Sequence, residues 1–217
     1  GLKIPYEVLR FCVSIITARI LDPEDFGIVS IATMVIFYAK SFANIGFNQV
    51  LVQRKEITDK HINTVFTVDI IASVVMALLL LSSADYIAGF FHSPESTDVI
   101  QVMSIIFILT TFHDLPYVLL RRDLEFRLIT TVDMVREILM SVITLTMAVH
   151  GYGFWSIVYG HLISLFIASI YLVYRTRMPF RLAYDHNAFK QLLGVSIWSF
   201  LQLQIYFISK RIDRIIV

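Results

Sequence analysis

The chain is built around Ala18-Arg19-Ile20-Leu21-Asp22-Pro23-Glu24-Asp25-Phe26-Gly27, an acidic turn between two long apolar segments. Asp22 can accept from the free N–H groups of a following first turn, and Pro23 loses no hydrogen bond at the first helical position. Glu24 and Asp25 suit the positive end of the helix dipole. We therefore predict a helix from Pro23 to about Gly46, which at ~1.5 Å per residue crosses a ~30 Å hydrocarbon core. The turn and its flanks form a membrane hairpin.

Composition is that of a membrane protein. Hydrophobic residues make up 57% of the 217 residues and charged residues 16%, and the mean hydropathy is +0.74. A net charge of +1 gives no reason to expect a nucleic-acid partner. The one cysteine, Cys12, allows no intrachain disulfide. Because the chain opens at Gly1 without an initiator Met and ends inside an apolar stretch, we expect it to be a fragment.

Six complete apolar segments of near-bilayer length and the start of a seventh follow one another along the chain. They cover approximately residues 2–21, 23–46, 61–81, 97–120, 128–150 and 154–174, with the seventh beginning near Leu193. Thr58 and Ser93 are placed to cap the helices that follow them, and Gly151-Tyr152-Gly153 breaks the fifth segment. The alternative, a large soluble helical protein, would have to explain seven such segments.

Basic residues are concentrated in every second connector between the apolar segments. The connectors after segments two, four and six carry three, three and four Lys or Arg residues, whereas those after segments one, three and five carry none. Basic loops stay in the cytoplasm, so the Asp22, Ser93 and Gly151 turns are predicted to lie outside. The sequence therefore predicts a multi-pass protein of the bacterial cytoplasmic (inner) membrane.

Ionisable residues inside these segments are costly, at ~2.5–3.5 kcal/mol each, and normally face a bundle interior or a water-filled cavity. Five segments carry them at one level, roughly two turns from the cytoplasmic end. The residues are Glu7, Arg10, Lys40, Asp69, His113, Asp114, Asp133, Arg136 and Glu137. Asp133 and Arg136 could neutralise each other at i, i+3 spacing, whereas Lys40 must find a partner across the bundle or an anionic ligand. Arg19, Lys210, Arg211 and Arg214 lie deeper.

Motifs for catalysis are absent from the sequence: it has no Gly-rich phosphate loop, no Gly-x-Ser-x-Gly elbow and no His-Glu-x-x-His pair. His113-Asp114 resembles an acid/base dyad only superficially, because adjacent helical side chains point about 100° apart. His161 is left unassigned, since a single membrane histidine is commonly a polar contact between helices. We interpret the chain as a transporter rather than an enzyme, with a membrane-embedded transferase as a remaining alternative.

Five motifs in order resemble the Wzx-like polysaccharide exporters, the PST branch of the MOP (MATE-like) superfamily. They are residues 18–27, Ile45-Gly46-Phe47-Asn48-Gln49-Val50-Leu51-Val52-Gln53, Leu119-Leu120-Arg121-Arg122-Asp123-Leu124-Glu125-Phe126, His150-Gly151-Tyr152-Gly153-Phe154-Trp155-Ser156-Ile157-Val158 and Asp213-Arg214-Ile215-Ile216. The resemblance covers the whole chain.

The resemblance implies an all-α membrane protein of two six-helix lobes with a cationic cavity between them. This chain would supply the N-terminal lobe (residues 1–174), a basic cytoplasmic linker (175–193) and the truncated first helix of the C-terminal lobe (194–217). Its activity would be flipping undecaprenyl-diphosphate-linked oligosaccharide from the inner to the outer leaflet by alternating access. Expected partners are that lipid, membrane lipids, polysaccharide polymerase and glycosyltransferases.

Site residues follow from the charges together with the resemblance. Cations for the diphosphate are predicted to be Arg19, Lys40, Arg10, Arg136 and Arg211; carboxylates for gating or ion coupling are Asp69, Asp114, Asp133 and Glu137. We expect no cofactor and no metal, and either H⁺ or Na⁺ could be the coupling ion. Alternatives that share the fold are a MurJ-type lipid II flippase and a MATE-type drug exporter, although a surplus of base argues for an anionic substrate. A non-transporting scaffold is the further alternative.

Overall fold

The computed structural model describes residues 13, 15–43, 46–54, 56–178, 181–194 and 196, and every regular element in this range is helical. Residues 15–20 form one turn and a half of helix before the acidic turn. The helices that follow are α1 (Pro23–Ala43), α2 (Phe47–Gln53), α3 (Asp59–Phe90), α4 (Ser96–Met103), α5 (Ile106–Arg122), α6 (Phe126–Val149) and α7 (Trp155–Thr176). Residues 186–194 are also helical. The predicted all-α class is confirmed.

Four helical segments are long and apolar enough to cross a membrane: α1, α3, the stretch Ser96–Arg122 that contains α4 and α5, and α7. They correspond to the second, third, fourth and sixth predicted segments. The fifth, α6, has 24 residues but carries Arg127, Asp133, Arg136 and Glu137. Most of the first segment and of the seventh lies outside the described residues, so the predicted count of six stays a prediction.

The outward faces of the long helices are apolar. Ile71 and Leu78 on α3 are 58% and 59% exposed, and Phe166 and Ile170 on α7 are 51% and 53% exposed. Rows of large apolar side chains facing out are stable in hydrocarbon but not in water. These faces suit contact with lipid or with other apolar helices.

The interior is held by α7 and by the helices that surround it. Packed most closely are α6 with α7 and α5 with α7, followed by α3 with α4 and α5, and α1 with α4. The largest apolar cluster joins Ala32 and Ile36 of α1 to Ile100, Phe107 and Val158. Each of these side chains is at most 5% exposed. This cluster fixes the helices between which the cavities described below are formed.

The helix after the acidic turn begins at Pro23, as predicted. The carboxylate that accepts hydrogen bonds at this turn is that of Asp25. The Asp22 N–H donates to Asp25 Oδ2 at 3.2 Å, and the Phe154 N–H donates to Asp25 Oδ1 at 3.1 Å. Asp25 thus caps the approach to α7, where Gly151 and Gly153 adopt φ of 81° and 53°. The cap predicted for the Asp22 carboxylate stays a prediction, since the hydrogen bonds described at this turn are accepted by Asp25.

Three predicted segments also differ from the structure. The segment predicted as one helix over 97–120 is two helices, since the chain turns at Ser104 and Ile105 between α4 and α5. The basic connector 47–60 contains the short helix α2, which follows Gly46 at φ 85°. Helical structure at 186–194 begins inside the stretch interpreted as a linker.

Contacts sort the loops into two ends of the bundle. The turns at Asp22 and Gly151 meet through Asp25, and we call this the acidic-turn end. At the opposite end, Arg122 donates to the carbonyl oxygens of Leu51 and Arg54, and Lys60 pairs with Asp185 at 3.6 Å. These contacts join all three basic connectors, and we call this the basic end.

Candidate functional site

A cavity of about 450 Å³ lies inside the bundle, and α1, α4, α5, α6 and α7 all contribute to its wall. We call it the central cavity. Most of its lining is apolar, and the polar members are Thr33, Lys40, Thr110, His113, Asp114, Arg136 and His161. Its volume is in the range that ligand sites occupy. Two cations from different helices therefore face one space.

Lys40 is held by an ion pair across the bundle. Its Nζ lies 3.7 Å from Asp114 Oδ2 on α5, and Asp114 Oδ1 lies 2.9 Å from His113 Nδ1. The side chains of Lys40 and Asp114 are 40% and 35% exposed, so both remain open to the cavity. Of the two alternatives predicted for Lys40, a partner across the bundle or an anionic ligand, the structure shows the first. The expectation that His113 and Asp114 point apart is wrong, because their side chains converge on one hydrogen bond.

A second, smaller cavity adjoins the first. This polar pocket has a volume of about 50 Å³, and its wall contains Lys40, Ala43, Asn48, Asp69, Ser73, Phe107, Thr110, Thr111 and Asp114. Lys40, Thr110 and Asp114 belong to both cavities. Three of the charged residues predicted to lie at one depth are thus brought together from α1, α3 and α5.

The acids of α6 have other partners than the sequence suggested. Tyr117 Oη donates to Asp133 Oδ2 at 3.0 Å, and Arg136 Nη2 donates to Glu137 Oε1 at 3.0 Å. Arg136 therefore pairs with its neighbour rather than with Asp133 at i, i+3. The Arg136 Nε is buried and has no acceptor among the described residues. Part of this guanidinium still lacks an acceptor.

The remaining predicted cations are not part of this cavity. Arg19 is exposed on the helical residues 15–20, and no ion pair joins it to another described residue. It does not line the central cavity or the polar pocket. Arg10 and Arg211 lie outside the described residues.

Sequence reasoning missed several polar members of the two cavities. His161 lines the central cavity beside Arg136, although its sequence context gave no sign of this. Asn48, Ser73 and Thr111 line the polar pocket, and of these only Asn48 fell within a motif. A helical-wheel comparison would place Ser73 one turn from Asp69 on α3. Nothing in the sequence shows which helix that face meets.

A family model described as "Polysaccharide biosynthesis protein" matches residues 16–217. The chain belongs to this polysaccharide biosynthesis protein family. The match runs from the helical turn before Asp22 through all seven helices, so the central cavity and the polar pocket both lie within the family's own region. The suspected membership of the Wzx-type group is thereby confirmed.

Curated relatives of this chain include one transport protein and two further biosynthesis proteins. It is 31% identical over 162 residues to the succinoglycan biosynthesis transport protein ExoT of Rhizobium meliloti (strain 1021), covering 75% of this chain and 32% of the relative. It is 23% identical over 118 residues to the lipopolysaccharide biosynthesis protein WzxC of Escherichia coli (strain K12), covering 54% and 24%. It is 24% identical over 102 residues to the teichuronic acid biosynthesis protein TuaB of Bacillus subtilis (strain 168), covering 47% and 21%.

The chain spans between about a fifth and two fifths of the length of the curated relatives it matches. No solved structure gives a significant match to it. Its membrane-spanning helices and its membrane-protein relatives establish it as a multi-pass protein of the inner membrane. Polysaccharide biosynthesis is the process to which its family belongs.

Proposed function

We propose that this chain forms part of a membrane exporter that moves lipid-diphosphate-linked oligosaccharide from the inner to the outer leaflet. The observation that carries the proposal is the central cavity, where Lys40 and Arg136 face one space inside an apolar bundle. A transport protein of succinoglycan biosynthesis among the relatives supports transport rather than catalysis. Undecaprenyl is the lipid that the family resemblance implies, and the enzymes that build and polymerise the glycan are the expected partners.

A diphosphate needs cations along its path through the membrane, because an unpaired ion there is very costly. Arginine pairs phosphate oxygens in a bidentate manner and stays ionised, whereas lysine serves as a point charge. Lys40 keeps its ammonium exposed to the cavity, and Arg136 retains an unpaired Nε. We assign the diphosphate contact to these two residues first. Arg10, Arg19 and Arg211 complete the proposed set at other depths.

Alternating access requires contacts that break on one side while others form. Ion pairs between helices suit this, because the attraction between the two charges and the cost of desolvating them nearly cancel. The net free energy of making or breaking such a pair is therefore small. Asp114 joins α5 to α1, and Asp133 joins α6 to α5 through Tyr117. Together with Asp69 and Glu137, these carboxylates are the proposed gating or ion-coupling groups.

The test is export in cells that produce the intact protein. Lys40→Gln and Arg136→Gln should each reduce surface polysaccharide about tenfold or more, because a charge-assisted hydrogen bond contributes roughly 1.5–3 kcal/mol. Lipid-linked precursor should accumulate inside, at a normal level of the protein in the membrane. Arg127→Gln is the matched control, since Arg127 is exposed on the same helix as Arg136 and outside both cavities. Wild-type export by the Lys40→Gln, Arg136→Gln double variant would refute the assignment.

A further inference from the structure

One ion pair forms the boundary between the two cavities. Lys40 and Asp114 line both the central cavity and the polar pocket, and their charged atoms lie 3.7 Å apart. A ligand that drew the Lys40 ammonium toward the central cavity would remove the cation from Asp114 Oδ2, while Asp114 Oδ1 would keep its contact with His113 Nδ1. The charge of the pocket would then depend on what the central cavity holds.

Apart from Lys40, the polar side chains of the polar pocket carry many oxygen atoms that can accept hydrogen bonds or bind a cation. Among the described residues, no hydrogen bond or ion pair satisfies the Asp69 carboxylate, and the buried Asn48 Oδ1 has no donor. Thr111 Oγ1 donates to Phe107 O at 3.2 Å and lies 2.8 Å from Ser73 Oγ. Either hydroxyl can donate in this second contact. In both cases Ser73 Oγ keeps at least one free lone pair on the wall of the pocket, because a hydroxyl oxygen has two.

We propose that the polar pocket is a Na⁺ site formed by Asp69, Asn48 and Asp114. Carboxylate and neutral oxygen ligands suit hard cations, and the site offers no thiolate or imidazole ligand of the kind that softer metals prefer. A volume of about 50 Å³ exceeds the roughly 10–15 Å³ that one water needs, so the pocket has room for a hydrated or partly hydrated ion. The buried, unpartnered Asn48 Oδ1 is an acceptor that a cation satisfies. An unpaired Asp69 carboxylate inside a membrane bundle is stabilised by the same ion.

Lys40 competes with Na⁺ for this site, because its ammonium already neutralises Asp114. When Lys40 turns to an anion in the central cavity, Asp114 loses the cation at Oδ2 and keeps only its contact with His113, so the affinity of the pocket for Na⁺ rises. By linkage, Na⁺ in the pocket frees Lys40 and strengthens anion binding by the same factor. The coupling to a diphosphate rests on the proposed function, whereas the Na⁺ site itself does not.

Binding of ²²Na⁺ to the purified intact protein, with choline as the replacing cation, tests the site. Asp69→Asn should weaken Na⁺ binding at least tenfold, whereas Asp85→Asn, an exposed position on the same helix, should leave it unchanged. Lys40→Met should tighten Na⁺ binding about tenfold; Met is used because a Gln oxygen could itself bind the ion. Adding Asp114→Asn to Lys40→Met should remove the gain. Equal binding by wild type and Asp69→Asn, or an unchanged or weakened affinity in Lys40→Met, would overturn the proposal.

A second arm adds farnesyl diphosphate as an anionic probe and farnesol as its uncharged control. Farnesyl diphosphate should tighten Na⁺ binding in wild type but not in Lys40→Met, and farnesol should do neither. If the Na⁺ arm succeeds and farnesyl diphosphate has no effect, the Na⁺ site stands and the assignment of the diphosphate to Lys40 fails. If the Na⁺ arm fails while Lys40→Gln still abolishes export, the site is wrong and the proposed function stands.

Discussion

Gly160 on α7 is a point of very close approach to α6. A Cβ built at this position would lie 2.1 Å from Thr144 Oγ1 and 3.2 Å from the carbonyl oxygen of Met140. The first distance is far below van der Waals contact, so Gly160→Ala requires Thr144 to change its rotamer or the two helices to move apart. We expect the free energy of unfolding to fall by about 1–3 kcal/mol, as is typical of overpacking. Thermal unfolding in detergent measures the loss.

Gly27→Ala on α1 is the matched control, because a Cβ there meets no atom within 4 Å. This substitution should be neutral or should stabilise by roughly 0.5–1 kcal/mol, since alanine favours the helix. Thr144→Ala removes the hydroxyl that the new methyl group meets, and the Gly160→Ala, Thr144→Ala double variant should recover part of the loss. Equal stability of Gly160→Ala and wild type would show that α6 and α7 are not locked at this point.

At the scale of residues, the sequence could predict which side chains need a partner but not which partner they meet. Lys40 carries no acid within reach on its own helix, so a partner across the bundle followed from its cost in the membrane. That Asp114 would be this partner depends on how α1 and α5 pack, which a single helix does not encode. For Arg136 the sequence offered two acids on the same helix and could not decide between them. In the structure Arg136 pairs with Glu137 and not with Asp133.

Among the elements, residues 183–191 are docked on the first turns of α3. The Ala183 and Asp185 N–H groups donate to Thr67 Oγ1 and Thr64 Oγ1, both at 3.1 Å. Gln191 Oε1 accepts from Arg54 at 2.6 Å. The backbone of this connector is therefore held by side chains of the helix that it crosses.

Asp185 makes this docking dependent on pH. The Ala188 N–H donates to its carboxylate at 3.0 Å, as does the Asn187 N–H at 2.9 Å, and Lys60 lies 3.6 Å away. These contacts, above all that with Ala188, hold the pKa of Asp185 below its ordinary value. A lowered pKa stabilises the docked state above the ordinary pKa of about 3.9, and this stabilisation is lost as pH falls through the lower value. Protection of the Ala188 amide from hydrogen exchange should hold at neutral pH and fall in that window.

Asp185→Asn separates the charge from the hydrogen bonds, because its side-chain oxygen can still accept. The variant should show weaker protection at pH 7 and no further step below pH 4. Asp123→Asn, at the end of α5, serves as the control and should retain the step. A step of unchanged size in Asp185→Asn would assign the effect to another carboxylate.

Element prediction succeeded where local chemistry alone decides the outcome. Pro23 starts α1, the Gly151 and Gly153 conformations separate α6 from α7, and Thr58 precedes α3, where its N–H donates to His61 Nδ1 at 3.2 Å. It failed for α2, a seven-residue helix too short to show a reliable period. Helix α2 is stabilised by burial of Phe47 and Leu51 against α3 and α5, and that packing is not readable locally.

The whole molecule has one end that carries the acidic turns and another that carries the basic connectors. Arg122 and Lys60 bring the three basic connectors together in space, as their alternation in the sequence predicts. These contacts show that the basic connectors lie together at one end of the bundle. The same contacts would be present in either orientation of the protein in the membrane. Orientation follows only from the rule that short basic loops stay in the cytoplasm.

Cysteine labelling in whole cells tests this orientation. In a background with Cys12 replaced by Ser, a cysteine at Arg127 or Arg181 should be protected from an impermeant thiol reagent, because both positions are exposed at the basic end. A cysteine at Glu24, exposed at the acidic-turn end, should be labelled, and so should one at Glu95, exposed in the turn that the sequence predicts to lie outside. Permeabilised cells should label all four, which excludes burial as the reason for protection. Labelling of Arg127 and Arg181 with protection of Glu24 and Glu95 would reverse the orientation, and Lys40 and Asp69 would then lie near the outer leaflet.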